Sequence, residues 1–162
     1  LPALALGVER ADPDTMRRSP HPPEESVLAR GLGSYLIWVG VLLGAVCLAA
    51  EYYARGLGEG IWQTMVFTTL GLSQMGNALA VRSDRESLLT LGLLSNKFLL
   101  GAVLLTFALQ MAVIYLPFLQ RVFDTSALTL GQLGISLALS GVVFVAVEIS
   151  KWVQRRRERA QA

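Results

Sequence analysis

The sequence is poor in the residues that build most chemical sites. It has one cysteine and one histidine in 162 residues. A single thiol rules out an internal disulfide framework, and Cys47 lies inside an apolar run. His21 sits among Pro20, Pro22 and Pro23 with no second ligand nearby, so neither residue is expected to found a metal site. No Gly-rich phosphate loop, nucleophile elbow or metal-ligand cluster occurs, so no catalytic residue and no resident cofactor are expected in this chain. Charge is also scarce. Only 16% of residues are Asp, Glu, Lys or Arg, against 53% hydrophobic, and the mean hydropathy is +0.51. An ordinary soluble domain of this size is not that apolar. The opening Leu1-Pro2-Ala3 lacks an initiator methionine, a basic n-region and a full h-region, so it is not a signal peptide and reads as a segment of something longer.

What is present is apolar residues in blocks, which points to an integral membrane protein. Residues 1–8 read as the end of a further membrane helix. Residues 9–31 are polar, with four prolines, and read as a loop outside the bilayer. Four spans are expected over about 32–53, 61–81, 98–116 and 131–153, followed by a basic tail at 154–162. The expected fold is therefore all-α, an integral membrane four-helix bundle. Gly40 and Gly44 form a GxxxG pattern, and Gly134, Ala138 and Gly141 are spaced for close helix packing. Pro117 should stop the third span and open a polar connection to residue 130. Glu148 and Lys151, three apart, could pair.

The second span organises the rest. Its roughly 21 residues, about 31 Å of helix, suffice to cross a bilayer. Yet it contains Gln63, Thr64, Thr68, Thr69, Ser73, Gln74 and Asn77. At about 100° per residue, Gln63, Gln74 and Asn77 share a narrow arc, while Met65, Leu72 and Leu79 point the other way. A buried amide without a partner costs several kcal/mol in hydrocarbon, roughly 4–8 on the cyclohexane scale. The amide arc is thus expected to look at other helices or a watered path, with the leucine side away. Two readings of Gln74 and Asn77 stay open: interhelical hydrogen bonding, or the lining of an ion pathway.

Twelve of the fourteen Lys and Arg residues fall in alternate flanking segments: Arg10, Arg17, Arg18 and Arg30; Arg82, Arg85 and Lys97; Lys151, Arg155, Arg156, Arg157 and Arg159. Only Arg55 and Arg121 lie in the other two. The positive-inside rule then puts both chain ends in the cytoplasm. The arginines of the tail could be read as a patch for nucleic acid or anionic lipid. Directly after a span they are expected to orient and anchor it, with no nucleic-acid partner.

With these segments placed, the chain resembles the carboxy-terminal membrane region of type II P-type cation pumps, the group that includes calcium pumps. Leu1-Pro2-Ala3-Leu4-Ala5-Leu6-Gly7-Val8-Glu9 is similar to the end of that family's sixth membrane helix. Asp12-Pro13-Asp14, Met16, Arg17-Arg18 and Pro20 are similar to the loop between helices six and seven. Tyr35-Leu36 with Gly40 and Gly44 looks like helix seven, and Gln74-Met75-Gly76-Asn77-Ala78-Leu79 like helix eight. The resemblance implies helices seven to ten of a pump that exports a cation through a phospho-aspartate cycle. ATP and Mg2+ would serve the parent pump, at sites upstream of this chain.

The resemblance also implies partners and roles: the bilayer, the pump's remaining helices, its phosphorylation domain and the transported cation, calcium first. Gly40 and Gly44 would seat the pump's long fifth helix. Asp12, Asp14, Arg17 and Arg18 would belong to a loop that couples the phosphorylation domain to the ion sites. Calcium pumps of internal membranes typically carry a carboxylate where this chain has Gln74. An amide brings an oxygen but no charge to a hard divalent ion. One calcium per cycle, or a different cation, is therefore expected of the parent. The short loops suggest a bacterial inner membrane. The alternatives are a stand-alone four-helix scaffold or regulatory subunit, and a small channel or carrier. The first needs a gene without the Asp-Lys-Thr-Gly-Thr phosphorylation motif upstream. The second is disfavoured because the two halves show no internal repeat and no broken helix.

Overall fold

The computed structural model describes residues 2–7, 32–58, 60–80 and 97–161. Among these the chain is all-α. A short helix α1 (Pro2–Leu6) is followed by α2 (Leu32–Ala54), α3 (Ile61–Ala80), α4 (Lys97–Tyr115), α5 (Pro117–Phe123) and α6 (Leu130–Gln161). The loop carrying Asp12, Asp14, Arg17 and Arg18, and the charged turn beginning at Arg82, lie outside the described residues.

Among the described residues three helices are long and apolar enough to cross a membrane: Gly33–Ala54, Lys97–Tyr115 and Leu130–Val153. The fourth expected span, α3, has 20 residues, but its amides and hydroxyls keep it below the same apolar standard. α6 has 32 residues, or about 48 Å at 1.5 Å each. That exceeds a hydrocarbon core of roughly 30 Å, and the segment expected as a tail continues the helix.

Two apolar clusters mark opposite ends of the bundle. Ala54, Met65, Ile114 and Leu128 meet at one end. Val39, Ala80 and Val147 meet at the other, with Tyr35, Trp38 and Phe144 packed against them. These clusters fix direction. The second unites the start of α2 with the ends of α3 and α6, so α3 and α6 run parallel and α2 runs against both. α1 packs on α4 and α3.

The links are set by local chemistry. Pro117 cannot donate a backbone hydrogen bond, so it ends α4, yet its fixed φ suits the first turn of a new helix. The expected polar connection accordingly contains α5. Asp124 ends α5 in the left-handed conformation, φ 52° and ψ 47°, and Thr125 then donates its hydroxyl to the Val113 carbonyl at 2.7 Å. Thr129 and Gln132 cap the start of α6 reciprocally. The Gln132 side chain accepts from Thr129 N–H at 2.8 Å, and the Thr129 hydroxyl accepts from Gln132 N–H at 3.3 Å.

The small residues meet no partner among the described residues of this chain. No described atom outside their own helices lies within 4 Å of a Cβ built on Gly40, Gly44, Gly134 or Gly141, and Ala138 is exposed. α2 instead buries Val39, Val46, Ala50 and Ala54, and α6 buries Ser136, Ser140, Val143, Val147 and Lys151. The glycines look outward because the α2–α3–α6 contact uses other sides of these helices. The expected Glu148–Lys151 pair does form, at 3.7 Å.

Candidate functional site

α3 is the polar helix, and its two sides differ. Thr64, Met65, Thr68, Thr69, Leu72, Ser73 and Met75 are buried. Gln63, Phe67, Leu70 and Gln74, at i, i+4, i+7 and i+11, are exposed. The sequence places Gln63 and Gln74 on one arc, and in this chain that arc is left uncovered by the described residues. Met65 and Leu72 point into the bundle and Leu79 is half-buried, whereas Gln63 and Gln74 point out of it. The reason is steric. Hydroxyl and thioether side chains form a narrow surface on which α6 can lie close, and the amide side is left uncovered by the described residues.

Asn77, at the edge of this open side, is half-buried. Its side-chain oxygen accepts a hydrogen bond from the Tyr35 hydroxyl at 3.0 Å, which ties α3 to α2. Asn77 therefore makes the interhelical bond that one of the two open readings describes. Gln74 makes no such hydrogen bond among the described residues and remains exposed.

At its start the open side runs into a cavity of about 280 Å³ lined by Gln63, Thr64, Phe67, Phe123, Asp124 and Thr125. Its wall is held firmly. Thr64 donates its hydroxyl to the Gly60 carbonyl at 2.7 Å and accepts from Ser126 N–H at 2.8 Å. Gly60, at φ 84°, lets the chain turn into α3 there. Asp124 is the acidic residue of this lining. A single exposed carboxylate with one amide can attract a cation but cannot replace its water shell, since calcium takes about 6–8 oxygens. Among the described residues no group of three or more His, Cys, Asp or Glu could hold a metal ion.

On the inner side, Gln110 of α4 is buried and donates to the Thr68 hydroxyl at 3.5 Å. Gly71 makes room for it: a Cβ there would stand 2.9 Å from the Gln110 side-chain oxygen. At the far end of α3, the buried Lys151 ammonium donates to the Ala80 carbonyl. That is a cation on a helix C-terminus, where it is favoured. The Lys151–Glu148 spacing was readable in the sequence. The reach to Ala80 and the Gln110–Thr68 contact were not, because each joins helices many residues apart.

Together these features define a class: an assembly of membrane-crossing helices in which one polar helix leaves its amide side open. The chain belongs to the family described as cation transporting ATPase, C-terminus, whose model matches residues 1–153. It is 35% identical over 157 residues to a calcium-transporting ATPase of Listeria monocytogenes, covering 96% of this chain and 18% of that protein. It is also 35% identical over 164 residues to the human calcium-transporting ATPase type 2C member 1, covering 99% of this chain and 18% of that protein. A calcium-transporting ATPase of Lactococcus lactis is 32% identical over 155 residues, 95% of this chain and 18% of its own length. The chain thus spans less than a fifth of the relatives it matches.

Proposed function

We propose that this chain is the last membrane section of an ATP-driven calcium export pump, in which α2, α3, α4 and α6 are four spans supporting the ion-binding helices. The observation that carries this reading is the exposed line Gln63, Phe67, Leu70 and Gln74 on α3. In a bilayer a glutamine facing acyl chains is costly, so such a side calls for a protein neighbour or water. The relatives, more than five times longer, have the further chain to supply one. α3 is too polar to be counted a span by composition. Its course beside α6 and against α2, end to end through both apolar clusters, supports its crossing with them. Four crossings agree with both chain ends being cytoplasmic.

Within this reading Gln74 lines the ion pathway, and Asn77 stands beside it with its oxygen engaged by Tyr35. Gly40 and Gly44, on an uncovered side of α2, seat another pump helix. Asp12, Asp14, Arg17 and Arg18 belong to the loop that meets the phosphorylation domain, where ATP and Mg2+ act. With an amide at Gln74, the parent moves one calcium ion per cycle or a different cation. The test is ion counting on the full-length parent pump with and without Gln74→Glu. One calcium in the unmodified protein, and a second or tighter ion in the variant, is the expected result. Two calcium ions bound by the unmodified protein would defeat the stoichiometry.

A further inference from the structure

The α3–α6 seam carries an anomaly on the side of α3 away from Gln74. Thr69, Ser73 and Ser136 are buried to 1% exposure or less, and their hydroxyl oxygens have no hydrogen-bond partner among the described residues. Hydroxyls in helices usually close on a carbonyl of their own preceding turn. Elsewhere in this chain they do so: Thr64 on Gly60, Thr106 on Ala102, Ser140 on Leu137 and Ser150 on Val147.

The three exceptions lie along one stretch of the α3–α6 seam, Thr69 and Ser73 being one helical turn apart on α3. α3 and α6 run parallel, with Met65 in the cluster against which Ile135 packs, Gly76 against Phe144, and Ala80 tied to Lys151. This register sets Thr69 and Ser73 beside Ser136 and Ser140. The Ser140 hydroxyl donates to its own helix and keeps lone pairs to accept with. Gln110 and Thr68 continue the same polar layer on the α4 side.

A buried hydroxyl left unpaired costs about 1–3 kcal/mol, and three along one seam would be a heavy penalty for tightly packed helices. We propose that this layer is a water-binding site, one or more waters bridging Thr69, Ser73 and Ser136. Buried waters characteristically make about three hydrogen bonds to such groups. The chemistry selects water over the transported ion. α3, α4 and α6 contribute no carboxylate between Ile61 and Ala80, Lys97 and Tyr115, or Leu130 and Val147. Neutral hydroxyls alone do not strip a divalent cation of its shell.

A cryo-EM map of the full-length parent pump, at a resolution that shows ordered water, tests this. The expected result is solvent density within hydrogen-bond distance of at least two of the three hydroxyls. Hydroxyls closed on their own helices' carbonyls with no density between them would overturn the site. So would a peak with the short distances and full oxygen shell of a metal ion. A mutant cycle gives a second reading. With a bridging water, Thr69→Val and Ser136→Ala each lower the unfolding midpoint by about 2–4 °C. The double variant then falls by clearly less than the sum, because both act through one water. Near-zero, additive shifts would count against the proposal.

Discussion

Lys151 shows how one side chain can fasten two helices. Its ammonium is buried, donates to the carbonyl of Ala80 and stands 3.7 Å from Glu148. Replacing it with Met leaves a half-buried carboxylate and a helix end without their cation. Lys151→Met should cost the intact pump about 1–3 kcal/mol of stability, read as a lower unfolding midpoint, with Lys151→Arg recovering part of it. Equal midpoints for all three proteins would show that the contact contributes nothing. Gly60 is the second such position. Its φ of +84° already disfavours a side chain, and a Cβ would stand 2.7 Å from the Ser126 hydroxyl oxygen. Gly60→Ala should therefore cost about 1–3 kcal/mol. Gly56→Ala, with nothing within 4 Å, should be near neutral. If both substitutions have the same effect, the turn does not need its glycine.

Among the elements, α6 depends on its cap and α2 on its open side. Thr129→Ala removes one half of the reciprocal cap and should cost about 1 kcal/mol, measured by thermal unfolding, with Thr129→Ser nearly silent. Gly44→Leu meets no described neighbour, so it should leave the packing of these helices unchanged. In the full-length pump it should slow ATP turnover and transport together, by pushing a seated helix away. Unchanged turnover would refute the seat. The elements themselves were largely legible in the sequence, because length and apolarity fix where a chain can cross a bilayer. Which side of each helix packs was not. Gln63 and Gln74 of α3 and the small residues Gly134, Ala138 and Gly141 were grouped by angle, and within this chain the described residues leave them uncovered. Periodicity groups residues by angle but cannot say what sits against each arc. The buried line Ser136, Ser140, Val143 and Val147 had the spacing to be noticed, and the more familiar glycines masked it.

For the molecule as a whole, the open side of α3 is the central feature. The described residues form a packed seam, two apolar end clusters and one polar helix whose Gln63 and Gln74 they leave uncovered. The chain's relatives are more than five times longer, and in the function proposed above the rest of a pump covers that side. Oxygen accessibility of a nitroxide on Gln74→Cys tests this most directly, in the full-length parent in liposomes with no other reactive cysteine. A label on Ser73→Cys serves as the buried reference. Low oxygen collision at Gln74, close to that at Ser73, is the predicted result. Collision as high as that of a lipid-facing site would place Gln74 against acyl chains and contradict the account.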